Sequence, residues 1–113
     1  MAMTVKDICE RVNARVLCGS ADKDACGVYV GDLLSRAMSH VEAGNVWITI
    51  MANANVVAVA TLTEPSVILL AEGVILADDA LQGAQDNGIT VLTSPLSAYE
   101  LCLKLGEMAE SEI

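Results

Sequence analysis

Three short apolar segments, separated by two helix-length segments, dominate the middle of the chain. The apolar segments, residues 46–50, 67–70 and 89–92, are rich in β-branched side chains and carry no charge. Residues 55–62 and 78–87 lie between them and have the length and composition of single helices. Because strands buried on both faces read as continuous apolar runs, this alternation predicts a parallel sheet between helices. The predicted fold class is α/β, a three-layer α/β/α arrangement with a mostly parallel sheet of about five strands.

The flanking sequence predicts the remaining elements. We expect further strands at residues 15–18 and 27–31, and further helices at residues 4–13, at residues 32–40 and after Ser97. Ser97 and Glu100 have the spacing of a capping box at the start of the last helix. A chain of 113 residues is predicted to form one domain, with its core at about residues 4–106 and a frayed tail at residues 107–113.

Composition and charge predict which partners the chain accepts. Hydrophobic residues make up 54% of it, which predicts an uncovered apolar patch and therefore a homodimer. The formal net charge is −9, and the excess of acids lies in residues 38–113, where Lys104 is the one basic side chain. Such a surface repels phosphate backbones, so no nucleic-acid partner is expected.

The sequence also argues against a membrane span and a metal site. Residues 43–63 carry no charge, but asparagine and threonine interrupt them and acidic residues flank them, so no span is expected. Lys6 and Asp7 break any N-terminal apolar signal, and we expect a cytoplasmic protein. The four cysteines form no closely spaced pair and the chain has one histidine, so neither a metal nor a cofactor is predicted.

Right-handed crossovers would bring the loops after the parallel strands to one edge of the sheet. We call this edge, with the loops that begin at Gly31, Met51, Ala71 and Thr93, the carboxyl edge. Open α/β sheets bind ligands at such an edge. Its candidate ligand-binding residues are Gly31, Asp32, Asn53, Asn55, Glu72, Gly73 and Ser94.

Most of these candidates also have a purely structural interpretation. Asn53 or Asn55 would cap the helix that follows, and Asp32 and Ser94 would cap theirs. Glu72 would be a solvated loop residue. The functional alternative is that the Asn53 and Asn55 amides bond a ligand and that Asp32 contacts a ligand or an opposing subunit. Both interpretations stay open on the sequence.

Four stretches of the chain together carry a family likeness. They are Val30-Gly31-Asp32-Leu33-Leu34-Ser35, Trp47-Ile48-Thr49-Ile50, Asn55-Val56-Val57-Ala58-Val59-Ala60 and residues 88–101. Over roughly residues 4–105 the chain resembles the DRTGG domain family, and it is most similar to the stand-alone members found beside iron-only hydrogenase genes. The resemblance implies a fold similar to the N-terminal domain of HPr kinase/phosphorylase, and a regulatory role in a hydrogenase or fermentation context.

Two segments depart from the pattern that this resemblance implies. Met51-Ala52-Asn53 occupies the place where many members have Gly-Asp-Arg, and Ala71-Glu72-Gly73 the place of Thr-Gly-Gly. An arginine and two glycines would suit an anion held by backbone amides. Their loss, together with the gain of a carboxylate, counts against phosphate binding in this chain.

No group of residues in the sequence predicts catalysis. No P-loop surrounds any lysine, and Ser94 lies in no G-x-S-x-G turn. We therefore predict a non-enzymatic regulatory or ligand-sensing domain that acts through homodimerisation and contacts with another protein. The alternative is a small-molecule module, nucleotides included, with its site at the carboxyl edge. An enzyme acting through Asp32 or Glu72 is the least favoured hypothesis.

Overall fold

The computed structural model describes the backbone of residues 3–111 and the side chains of residues 3–108. Within that part of the chain the helices are α1 (Val5–Arg11), α2 (Leu34–His40), α3 (Ala54–Thr63), α4 (Asp78–Asp86) and α5 (Ala98–Ser111). The strands are β1 (Met3–Thr4), β2 (Arg15–Cys18), β3 (Asp24–Ala25), β4 (Val28–Val30), β5 (Val46–Thr49), β6 (Val67–Leu70) and β7 (Val91–Thr93). Every element predicted from the sequence is present, with most boundaries moved by one or two residues.

Five of the strands form one sheet in the order β2-β7-β6-β5-β4. Strands β4 to β7 are parallel, and β2 pairs with β7 in the antiparallel direction. The register places Trp47 beside Tyr29 on one side and Ile68 on the other. The three apolar segments therefore lie side by side and point the same way, as predicted.

The strand side chains alternate between two helical layers. One face buries Trp47, Ile68 and Leu70 against α2, α3 and α4. The opposite face buries Ile48, Leu69 and the rest of its strand residues against α1 and α5. All five of these side chains are fully buried, and each contributes about 1.5–3 kcal/mol through burial. The three-layer α/β/α prediction is confirmed.

One feature differs from the sequence predictions. The loop at residues 19–27, which reads as polar and irregular, contains β3, and Met3 pairs with Ala25 in a small separate sheet. Two-residue strands carry no periodicity, so the sequence offers no signal for them. Helix α5 continues to Ser111, and the frayed tail expected from residue 107 stays a prediction. Residues 112 and 113 of that predicted tail lie outside the described residues.

Candidate functional site

The carboxyl edge is assembled from four parallel strand ends and one strand beginning. Strands β4 to β7 all end at this edge because they run in the same direction. Strand β2 runs the opposite way, so its first residue, Arg15, pairs with Thr93 at the same edge. The edge therefore includes a basic side chain that the sequence analysis does not assign to it.

Asp32 joins the ends of two neighbouring strands. Its carboxylate oxygen accepts a hydrogen bond from Thr49 Oγ1 at 2.7 Å and another from the Ile50 amide at 3.0 Å. The prediction that Asp32 caps α2 is wrong, since Leu33 is the N-cap residue and makes no side-chain cap bond. The carboxylate turns instead toward the end of β5, where Thr49 is buried and an amide needs an acceptor.

Gly31 is held between two aromatic side chains. A Cβ at this position would lie 2.9 Å from the Tyr29 hydroxyl and 3.1 Å from its ring. The Gly31 carbonyl accepts a hydrogen bond from Trp47 Nε1 at 3.1 Å, and its amide donates to Ile48. Gly31 therefore owes its identity to close packing under Tyr29, and its backbone polar groups are already bonded within the protein.

Asn53 and Asn55 differ in role although they are two residues apart. Asn53 caps α3, and its side-chain oxygen accepts hydrogen bonds from the amides of Asn55 at 3.0 Å and Val56 at 3.3 Å. The capping interpretation is confirmed for Asn53. Asn55 lies inside the first turn of α3 with its side chain exposed.

Glu72 and Gly73 form a left-handed turn one residue after the end of β6. Their φ angles are +59° and +71°, and their amides donate to the carbonyls of Leu96 and Ser94, both at 2.8 Å. A glycine suits the first of these positions, which explains structurally why a Gly-Gly pair is favourable there. Because both amides already have acceptors, this turn holds the β7 loop and offers no amide cradle for an anion.

Ser94 is a buried structural hydroxyl. It is fully buried, donates to the Val12 carbonyl at 2.6 Å and accepts from the Leu96 amide at 3.2 Å. The prediction that Ser94 caps the last helix is therefore wrong. Ser97 does cap it, because the Glu100 amide donates to Ser97 Oγ and the Ser97 amide donates to Glu100 Oε1. The capping box is confirmed.

A cleft of about 370 Å³ opens at the β6–β7–β2 side of the carboxyl edge. It is lined by residues 13–15, Gly73 and residues 93–95. Of the predicted site residues, the cleft contains Gly73 and Ser94. The other five, Gly31, Asp32, Asn53, Asn55 and Glu72, do not line it.

Asn13 and Arg15 are the cleft residues that sequence reasoning misses. Asn13 has a left-handed φ of +53°, which ends α1 and turns the chain into β2. The cleft requires β2 to be antiparallel, and no residue pattern within a four-residue strand reports its direction. Asparagine tolerates a left-handed φ, so Asn13 directly after the helix is the local feature of the sequence that favours a turn here.

Among the described residues that line the cleft, no acid, base and nucleophile come together. Thr93 donates its hydroxyl to the Val74 carbonyl at 2.6 Å, and Ser94 donates to Val12, so neither hydroxyl is paired with a base. Across residues 3–108 no three acidic, histidine or cysteine side chains come together as a metal site. Nor does any helix there combine the length and apolar character that crossing a bilayer requires.

The clear pKa shifts among the described residues lie away from the cleft. Burial raises the pKa of the Cys9 thiol, with a smaller contribution from the charge of Glu10. Burial also raises the pKa of Cys18, at the other end of β2, and lowers that of Lys23. None of these groups contacts the cleft, so they provide no acid or base for chemistry there.

Comparisons with known proteins match the fold described above. The crystal structure of the CBS and DRTGG domains of the regulatory region of Clostridium perfringens pyrophosphatase, complexed with the activator diadenosine tetraphosphate, is similar with a TM-score of 0.76 at 16% identity. The match covers 90% of this chain and 45% of that chain, so this chain corresponds to less than half of that structure. No curated protein sequence matches significantly. The family model of the DRTGG domain matches residues 7–108, nearly the whole chain, and the protein therefore belongs to the DRTGG domain family.

Proposed function

We propose that the protein is a non-catalytic regulatory domain that senses a small ligand at the carboxyl edge. It acts through homodimerisation and contact with another protein. The observation that carries the proposal is the contrast within that edge, where Asp32, Ser94 and Thr93 are bonded to the protein itself while a cleft stays open beside them. An edge of this kind binds a ligand without transforming it, since catalysis would need a partnered acid, base or nucleophile.

A nucleotide is the first ligand to test. The regulatory region of the pyrophosphatase, less than half of which matches the fold of this chain, is complexed with diadenosine tetraphosphate. At 16% identity the similarity concerns the fold, and a nucleotide ligand for this chain is our proposal. The proposed setting is cytoplasmic, in a hydrogenase or fermentation system, as the resemblance to members beside iron-only hydrogenase genes implies.

Calorimetric titration of the full chain with AMP, ATP and diadenosine tetraphosphate tests the ligand. Saturable binding is expected for at least one nucleotide, with amide signals of Gly73, Thr93 and Ser94 shifting in a heteronuclear NMR spectrum. A second cleft of about 310 Å³, lined in part by Lys23, Glu64 and Gly88, lies at the opposite edge and serves as the internal control. Shifts centred on Gly88 would overturn the proposed site, and no binding of any nucleotide would overturn the proposed ligand.

The proposed homodimer rests on an apolar patch beside strand β4. Val28 is 40% exposed and Val30 is 44% exposed. The nearby side chains of Leu33 and Ile50 are 60% and 45% exposed. In the described part of the chain β4 pairs with β5 alone, so its outer edge offers unpaired backbone groups. An edge of this composition favours association with a second copy.

Two matched charge substitutions test the dimer by light scattering at micromolar concentration. Val30→Lys introduces a charge on β4 and is expected to yield a monomer. Val16→Lys makes the same change on β2, where Val16 is 43% exposed at the other edge of the sheet, and is expected to leave the dimer intact. A wild-type monomer, or a dimer that survives Val30→Lys, contradicts this part of the proposal.

A further inference from the structure

The cleft beside β2 contains a basic side chain that the structure leaves without an acidic partner. Among residues 3–108, the salt bridge is between Arg11 and Glu107, and Arg15 takes part in none. Arg15 is exposed at the first position of β2 and lines the cleft. In the described part of the chain Arg36 and the lysines make no salt bridge either, but Arg15 is the cation that lines this cleft.

The other polar groups of the cleft are already bonded within the protein. The hydroxyls of Thr93 and Ser94 donate to the carbonyls of Val74 and Val12. The amide of Gly73 donates to Ser94, and the amide of Ser94 donates to Leu70. The side chains that remain to meet a ligand are the Arg15 guanidinium and the Asn13 amide.

A planar guanidinium binds a carboxylate or a phosphate through two parallel hydrogen bonds. The volume of about 370 Å³ lies at the small end of ligand pockets, which are roughly 300–1,000 Å³. A cleft of this size with one cationic fork fits a small oxyanion, or the oxyanion end of a larger ligand. It does not provide the apolar walls that would enclose a nucleobase, since Ala14 and Pro95 are the apolar side chains among the described residues that line it.

We infer that this cleft is an oxyanion subsite, in which Arg15 binds a carboxylate or phosphate and Asn13 donates a further hydrogen bond. The inference rests on the proposed function, because it names the chemical group recognised at the carboxyl edge. It assigns that recognition to the start of β2, outside the segments that replace Gly-Asp-Arg and Thr-Gly-Gly.

Titrations with inorganic phosphate, malonate and AMP test the inference on the full chain. Backbone amide signals of Gly73, Thr93 and Arg15 are expected to shift together, and the affinity is expected to fall as sodium chloride rises. Arg15→Gln should weaken binding by about tenfold or more, since it removes a charge-assisted bidentate contact. Arg15→Lys should weaken it less, because the charge stays while the fork is lost.

Two control variants separate recognition from general effects. Arg36→Gln removes the same charge from an exposed position on α2 and is expected to leave the affinity unchanged. Asn13→Gly keeps the left-handed backbone while removing the amide, and a several-fold loss is expected.

The outcomes distinguish this inference from the broader proposal. Nucleotide binding that is insensitive to Arg15→Gln would overturn the subsite and leave a ligand-sensing domain standing. Binding of phosphate or malonate that depends on Arg15, without any response to nucleotides, would support the subsite and remove the nucleotide proposal. If Arg36→Gln weakens binding as much as Arg15→Gln, the effect is net charge alone and the subsite is rejected.

Discussion

The two halves of the carboxyl edge use their polar groups in opposite ways. On the β4–β5 half, Asp32 accepts hydrogen bonds from Thr49 and Ile50 and closes the space between the strand ends. On the β6–β7–β2 half, the hydroxyls bond inward and a cleft remains in front of Arg15. The same strand-end geometry thus stabilises the fold where donors and acceptors match, and leaves an open cleft beside an arginine that forms no salt bridge among the described residues.

Asp32→Ala provides the largest expected effect and tests the closed half. It should lower the free energy of unfolding by about 1.5–3 kcal/mol, because a buried hydroxyl and a backbone amide lose a charged acceptor. Urea denaturation measures the change. Arg15→Gln, on the open half, should change stability by less than about 0.5 kcal/mol.

Asp32→Asn and Thr49→Val complete this test. The Asn side chain keeps an acceptor oxygen, so Asp32→Asn should lower the free energy of unfolding less than Asp32→Ala does. In a double-mutant cycle, Asp32→Ala should cost less in the Thr49→Val background. Equal losses for Asp32→Ala and Arg15→Gln would mean that the two halves do not differ as described.

Ser94→Ala tests the open half of the edge at the buried residue beneath the cleft, which we call the floor of the cleft. Removing this fully buried hydroxyl leaves the Val12 carbonyl and the Leu96 amide without their partner, at a cost of about 1–3 kcal/mol. Ser97→Ala, at an exposed cap, should cost about 1 kcal/mol. A smaller loss for Ser94→Ala than for Ser97→Ala, in thermal or urea unfolding, would show that the floor of the cleft is not structural.

Glu72→Gly is expected to stabilise the protein by about 0.5–1 kcal/mol, because a left-handed φ disfavours every residue with a Cβ. Glu64→Gly is the matched control, since Glu64 has the same φ of +59° at the end of α3. A gain for Glu64→Gly with a loss for Glu72→Gly would indicate that the Glu72 carboxylate makes a stabilising contact at the carboxyl edge.

The smallest expected effect concerns pH at the opposite end of β2. Burial raises the pKa of Cys18 above the ordinary thiol value of 9.0, so the unfolded chain loses this proton first. Stability should therefore fall as pH rises past about 9. Cys18→Ala should flatten this fall.

Lys23 works in the other direction and provides an independent check of the sign. Burial lowers its pKa below 10.5, so the folded chain releases the proton first and stability rises with pH just below that value. Lys23→Met should thus steepen the fall in the free energy of unfolding between about pH 9 and pH 10.5. A rise in stability across this range in the Lys23→Met variant would contradict the assignment to thiols.

Sequence periodicity predicts most of the fold, but the sequence predicts the roles of individual polar residues less reliably. The strand around Trp47, the Asn53 cap and the Ser97–Glu100 capping box all depend on residues close in sequence, and each is confirmed. Asp32 and Ser94 read equally well as caps, yet each bonds to a group far along the chain. Asp32 bonds to Thr49, and Ser94 bonds to Val12. These partners are distant in sequence and are brought close by the tertiary fold.

The sequence by itself determined the layered α/β architecture. Strands buried on two faces and helices buried on one face have different spacings of apolar residues, and these spacings involve residues only two to four positions apart. Only the tertiary structure decided the direction of β2. That direction places Arg15 in the same cleft as Gly73. A four-residue strand satisfies its hydrogen bonds in either direction, so the choice depends on helices and strands packed around it rather than on its own residues.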